Sequence, residues 1–330
     1  MVEQAPPRLD LHRHLDGSIR PRTVLELAQR FDVGLPRDLD ALLPLIQVTD
    51  PAPDLMAYLA KMDRAVSVLG DEDACARIAY EAVEDARSEG IVYLEGRFSP
   101  AYMARAHGLD PAGVTAAVCD GAARGARDCG VRVNLIGILS RTFGPEATWR
   151  ELEALLTQRE RLVALDLAGD EARMPGELFV EHFRRGRDTG WHITVHAGEA
   201  GGAQSVWTAI NMLGAERIGH GVRAVDDPAL LDTLAERGIG IEMNLTSNVQ
   251  TSTVPSYMAH PLRAYLERGL LATINTDDPA ISAITLGYEL ERAAPAAGLT
   301  PQQVCRAQEH ALTTAFLSAD EKRALWSAVV

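Results

Sequence analysis

Eight short apolar runs, most of them ending in polar or charged residues, alternate along this chain with stretches of helical composition. The runs are "LDLHRHLDG" (9–17), "IVYLEGRFS" (91–99), "VRVNLIGILSR" (131–141) and "LVALDLAGDE" (162–171). They continue with "HITVHAGE" (192–199), "RIGHG" (217–221), "IGIEMNLTSN" (239–248) and "LLATINTDD" (270–278). Segments such as "DACARIAYEAVEDARSEG" and "PALLDTLAERG" lie between them, and several close on glycine, as helix C-termini often do. Strands alternating with helices require a parallel sheet with right-handed crossovers. Eight such units predict an α/β fold, a closed (β/α)8 TIM barrel, for which about 250 residues is typical. The chain has 330 residues, and the excess falls mainly between the first two runs. Residues 20–75 hold the helix-like pieces "PRTVLELAQRF" and "PDLMAYLAKMDRAVSVLG" around a Pro-rich loop. An insertion after the first strand lies at the mouth of a barrel, so a helical cap is expected there. No internal repeat, low-complexity tract or long linker interrupts the chain, and one domain over 1–330 is expected. The rival architecture, an open doubly wound sheet, brings a GxGxxG or GxxxxGK[ST] phosphate loop, and this chain has neither.

Charge and cysteine usage narrow the function classes. The net charge is −14 with no basic stripe, which argues against nucleic acid and anionic membranes as partners. A small neutral or cationic substrate suits that balance. The cysteines Cys75, Cys119, Cys129 and Cys305 are scattered without CxxC spacing, as expected in a reducing cytosol. The opening "MVEQAPPRLD" has no apolar signal core, and no apolar run approaches the roughly 20 residues that span a bilayer. A cytoplasmic protein is expected.

Barrel enzymes carry their chemistry at the C-terminal ends of the strands. Here those ends offer His12, His14 and Asp16; Glu95 and Arg97; Ser140 and Arg141; Asp170 and Glu171. They also offer His196 and Glu199, His220, Asn244 to Asn248, and Asp277 with Asp278. Of the nine histidines, His107, His182, His260 and His310 lie in helical or loop surroundings with no polar partner nearby in sequence, and His192 opens its strand at the wrong end. These five read as surface or core histidines. His12 and His14 are two apart, so on a strand they face the same side. Taken alone the pair reads either as a chelate or as two polar residues in a hydrogen-bond network. His196, His220 and a carboxylate from other strand ends favour a metal. Neutral imidazoles plus a carboxylate suit Zn²⁺, which acidifies a bound water to a pKa of about 7. Glu199, three residues past His196, is placed to act as a general acid/base without ligating. Its bland reading is a carboxylate in a helix first turn.

At this point the motifs resemble a known family. "LDLHRHLDGS", "LDLAGDE", "TVHAGEA", "ERIGHGV", "LTSNVQTS" and "INTDDPA", in that order, are similar to the motif set of the adenosine deaminases of the amidohydrolase superfamily. "RFSPAYMA", "LSRTFG" and "FLSADEKRAL" resemble the bacterial members. The resemblance implies one Zn²⁺ per chain held by His12, His14, His196 and Asp277. It implies Glu199 as the acid that protonates purine N1 and His220 as the residue that orients and helps deprotonate the attacking water. It also implies contacts to substrate from Asp16 (the ribose 5′-hydroxyl), Gly169 N–H (N3), Asp278 (N7) and His14. The implied reaction is hydrolysis of adenosine and 2′-deoxyadenosine to inosine and 2′-deoxyinosine with loss of ammonia, a step of purine salvage. The alternatives are adenine, or a 5′-modified adenosine such as aminodeoxyfutalosine, as substrate. A binding or structural protein that keeps the fold without the catalysis is disfavoured, because all four ligand positions are present. The H-x-E with P-C-x-x-C pattern of the other zinc deaminases is absent. Gly96 stands in the second strand where an apolar residue is expected, and glycine there marks a bulge or a weakened strand. The adjacent Asp277 and Asp278 are explained if neighbouring side chains on a strand point in opposed directions, one to metal and one to base.

Overall fold

The structure is a computed structural model and describes residues 6–327; Met1 to Ala5 of the opening stretch lie outside the described residues. Eight parallel strands are joined in sequence order, β1 next to β2 and so on to β8. They are β1 (Arg8–His14), β2 (Ile91–Phe98), β3 (Arg132–Ser140), β4 (Ala164–Ala168), β5 (His192–Ala197), β6 (Arg217–His220), β7 (Gly240–Met243) and β8 (Leu271–Ile274). The ring closes just beyond β8. His14 N–H donates to Asp277 O at 2.8 Å, Asp277 N–H donates to His12 O at 2.7 Å, and Leu11 N–H is taken by the Asn275 side chain at 3.1 Å. This is the (β/α)8 barrel that the alternation predicts.

Between β1 and β2 come four helices: α1 (Pro21–Arg30), α2 (Leu39–Ile46), α3 (Leu55–Val66) and α4 (Glu72–Ser88). Three of them start on the same local device. Asp38, Asp54 and Asp71 each accept a hydrogen bond from the backbone N–H three residues on, a cap that contributes about 1 kcal/mol. α4 packs on α6 (Pro111–Cys129) outside the barrel, whereas α3 lies across its mouth. The segment leading into α3 is sewn to the far rim. Val48 N–H donates to Ile281 O at 2.7 Å, Ala52 N–H to Gln250 O at 2.7 Å, and the Tyr58 and Ser282 hydroxyls pair at 2.9 Å. On the near rim Asp63 accepts from Tyr102 Oη at 2.6 Å and from Arg105 at 2.9 Å. Tyr102 belongs to α5 (Pro100–Ala104), directly after β2.

Gly96 has a packing reason. A Cβ there would lie 3.0 Å from Leu15 Cδ2, so glycine makes room for Leu15 where β1 leaves the sheet. No helix of the described residues is long and apolar enough to cross a membrane.

Candidate active site

β1 delivers His12 and His14 to one side, as the period of a strand demands, and their ring centroids are 5.4 Å apart. β5 delivers His196 and the end of β6 delivers His220. The side-chain ligand atoms of His12, His196, His220 and Asp277 all lie within 4.8 Å of one another. His14 Nε2 joins them, 3.2 Å from His196 Nε2 and 3.3 Å from Asp277 Oδ1. Four imidazoles and one carboxylate from four strand ends thus meet at one point. His14, Asp16, Gly169, His196, Glu199, His220, Asp277 and Asp278 all line the cavity roofed by α3.

The two aspartates are separated by a different device from the one expected. β8 stops at Ile274, so neither aspartate is on a strand. Asp277 is in the left-handed region at φ 63°, and His220 is there too at φ 62°. Such conformations cost about 1–3 kcal/mol each and gather at functional sites, and Asp tolerates them better than most residues. The turn at Asp277 sends its carboxylate to the histidines. Asp278 then occupies the N-cap position of the short helix Pro279–Ser282, yet its side chain does not cap the helix. Its Oδ1 is buried without a hydrogen-bond partner in the cavity wall. Gly17 makes this placement feasible, because a Cβ there would lie 1.8 Å from Asp278 Oδ1. Gly17→Ala is therefore expected to displace the carboxyl and cut kcat/KM by about 100-fold, the usual cost of a misplacement of about 1 Å. Steady-state kinetics beside a melting curve check this; unchanged kinetics would show that the slot is not needed.

Beneath the cluster runs a buried ionic network. His12 Nδ1–H donates to Glu242 Oε2 at 2.6 Å, and His196 Nδ1–H donates to Asp166 Oδ2 at 3.0 Å. Arg97 ties the two carboxylates together, at 2.8 Å to Asp166 and 2.7 Å to Glu242. Arg217 reaches Glu242 at 2.6 Å and also pairs with Glu95, whose Oε1 accepts Phe316 N–H at 2.7 Å. Burial alone raises a carboxyl, but here its partners outweigh burial. Arg97 and Arg217 hold Glu242, and His196 and Arg97 hold Asp166, well below the usual carboxylate range. Carboxylates that accept the Nδ1 proton of a histidine leave its Nε2 lone pair free for a metal. His12 Nε2 is buried with no hydrogen-bond partner, and three imidazoles with a carboxylate are a zinc-type donor set.

The groups facing the cavity are poised differently. Burial, then Asp277, Glu171 and Asp278, push the Glu199 carboxyl well above its ordinary range, so it holds a proton. Burial and then Asp277 push Asp278 up to about 8. Burial would lower His14, but Asp278, Asp16 and Asp277 outweigh it and raise the imidazole to about 9. Burial would raise Asp277, but His220, His12 and His14 hold it well below its ordinary range. Glu199 is fixed from behind. The Glu171 carboxylate accepts four backbone N–H groups, those of Gly198, Glu199, Ala200 and Gly201, at 2.7 to 3.1 Å. At Gly169, φ is 111° and a Cβ would lie 2.3 Å from Thr142 Oγ1, so only glycine fits this edge of the cavity.

Sequence reasoning missed Asp166 and Glu242. Both sit inside strands that read as apolar, and the only signal is a carboxylate within an otherwise buried run. His260, read as a surface or core histidine, is buried and bonds Asn248 Oδ1 at 3.0 Å. His107, His182, His192 and His310 bond Ser67 O, Thr148, Glu216 and Ala272 O respectively, away from the cluster.

Residues 7–330 match the family model described as adenosine deaminase. A protein of Edwardsiella ictaluri named adenosine deaminase is 57% identical over 326 residues, 98% of either chain. Among solved structures, an adenine deaminase from Arthrobacter aurescens superposes with a TM-score of 0.91 at 25% identity, covering 98% of both chains. An amidohydrolase from Burkholderia ambifaria, with bound Zn, superposes with a TM-score of 0.90 at 28% identity, covering 98% of this chain and 89% of that one.

Proposed function

The chain belongs to the adenosine deaminase family, and from that premise we propose that its cavity hydrolyses adenosine and 2′-deoxyadenosine to inosine and 2′-deoxyinosine with release of ammonia. The observation that carries this is the meeting of His12, His14, His196, His220 and Asp277 directly below Asp16, Glu199 and Asp278. We read His12, His14, His196 and Asp277 as the holders of one Zn²⁺. Zinc bound there supplies a Lewis acid that activates water and steadies negative charge.

The chain's own residues do the rest. The cap helix α3 covers the cavity with Leu55, Tyr58, Leu59 and Met62 and keeps bulk water from it. The substrate lies with purine N7 toward Asp278. N7 is an acceptor, so the contact needs a proton on the carboxyl, and the upward push on Asp278 supplies it. N3 faces the Gly169 backbone N–H. Asp16 Oδ1, buried without a partner, accepts the ribose 5′-hydroxyl. Water oxygen adds to C6 while the Glu199 proton goes to N1, which spares the ring an anionic charge. The C6–N bond then breaks; ammonia leaves with one proton of the adding water, and the other returns to the Glu199 carboxylate, which restores the acid. His220 faces the same oxygen.

Asp16 bears on the choice of substrate, since a carboxylate suits a free 5′-hydroxyl and repels a 5′-phosphate. The proposal extends to a single barrel domain capped at about 20–75, working in the cytoplasm on a small purine nucleoside. Comparison of kcat/KM for adenosine, 2′-deoxyadenosine, adenine and aminodeoxyfutalosine, with and without a chelator, tests it. Adenosine and its deoxy form should lead, and the chelator should abolish turnover. A strong preference for adenine or aminodeoxyfutalosine would overturn the substrate assignment.

A further inference from the structure

His220 differs from His12 and His196 in what holds its Nδ1. Theirs meet carboxylates; its own meets the amide groups of Asn248 at 2.9 Å and Asn244 at 3.3 Å. Which atom of an amide faces a ring nitrogen must be settled by the surrounding bonds. Here a chain of obligatory donors settles it. Leu262 N–H can only donate, and it points to His260 Nδ1 at 3.2 Å, so that nitrogen is an acceptor. Neutral His260 then carries its proton on Nε2, 3.0 Å from the Asn248 side chain. The Asn248 atom facing it must accept and is therefore Oδ1. The amide nitrogen is left to donate to His220 Nδ1. Burial favours the neutral form of His260, lowering it to about 3. Glu199 Oε1, at 3.6 Å from His220 Nδ1, is beyond hydrogen-bond reach and does not compete.

We infer that His260, acting through Asn248, sets His220 with its proton on Nε2, so that His220 meets the reacting oxygen as a hydrogen-bond donor and not as a proton acceptor. The inference rests on the placement of His220 proposed above and corrects the role implied by resemblance, in which His220 helps to deprotonate the water. It also separates His220 from the metal-holding set on chemical grounds, because a protonated Nε2 offers no lone pair to a cation. His260 is a positioning residue, about 40 positions along the chain from the ring it governs.

The test is the nitrogen NMR spectrum of ¹⁵N-histidine-labelled, metal-loaded protein, with the His220 signals identified by their loss in His220→Gln. Nε2 should be protonated and Nδ1 bare. The reverse pattern in the wild type overturns the inference, whatever the activity. Asn248→Asp puts a carboxylate beside Nδ1, as Glu242 is beside His12, and should invert the pattern. It should also lower kcat at least tenfold, with a smaller change in KM. Inversion with unchanged kcat would support the proton assignment and remove His220 from the reaction. No inversion in a folded Asn248→Asp protein would overturn the governing role of this chain of bonds.

Discussion

Glu199→Gln is expected to retain its fold and its metal and to lose about 10²–10⁴-fold in kcat, the usual contribution of a positioned general acid. The reason lies in two features of the site. Burial and three neighbouring carboxylates keep a proton on Glu199, and Glu171 holds the Gly198–Gly201 backbone so that the carboxyl cannot swing away. Glutamine keeps the shape and can still donate a hydrogen bond to N1, but it cannot give the proton up. KM should therefore change little while kcat falls. Zinc content and the melting curve serve as controls. A variant that turns over at near the wild-type rate removes Glu199 from the proton-transfer step.

The second large effect is on the metal. His12→Ala takes away a donor whose Nδ1 is held by Glu242 and whose Nε2 makes no hydrogen bond but faces Asp277 Oδ1 at 3.2 Å. The purified variant should carry little zinc and show no measurable turnover, and normal zinc occupancy would take His12 out of the ligand set. Loading of the metal-free wild type should also depend on pH in a definite direction. The ordinary value of His14 is 6.5 and the folded protein raises it to about 9. The stabilisation this gives the metal-free fold is fully present below 6.5 and is lost as pH rises through about 9. A ligand must be neutral, so below about 9 zinc displaces a proton from His14. Zinc affinity should therefore climb across that interval, with protons released on binding. Calorimetry in two buffers of different ionisation enthalpy reads that release directly. Affinity independent of pH would exclude His14 as a ligand.

The barrel was legible because the two periods alternate cleanly and because its strands stop on polar residues. The strand ends were less so. "IGIEMNLTSN" looks like one run, yet β7 stops at Met243 and the helix Leu245–Gln250 follows, because Asn244 turns its side chain to His220 instead of extending the strand. The groups at the cavity were legible for a simple reason: a catalytic residue at a strand end is a polar residue where the apolar pattern breaks. Asp166 and Glu242 break the apolar pattern inside a strand and not at its end. Their partners Arg97 and His196 lie on other strands, and only the closed ring brings them together. His260 was illegible for the same reason, since the bond that matters runs through Asn248 on another element. The left-handed turn at Asp277 leaves no mark either, because aspartate adopts that conformation without the glycine that would announce it.

The seam where β1 meets the segment after β8 has a consequence in time. Its bonds join residues as far apart as Leu11 and Asn275, 264 positions in the chain. At a synthesis rate of ~5–20 residues per second, roughly 13–50 s separate the emergence of the two sides. For that interval His12 and His14 exist without Asp277, and no earlier strand substitutes for it. With the ligand set proposed above, zinc acquisition would be an event of the nearly finished chain. A ligand that binds only the closed form shifts the balance toward closure, by about 4 kcal/mol at 1,000 times its dissociation constant. An ion held by His12, His14 and Asp277 would also rivet the first strand to the segment after the last.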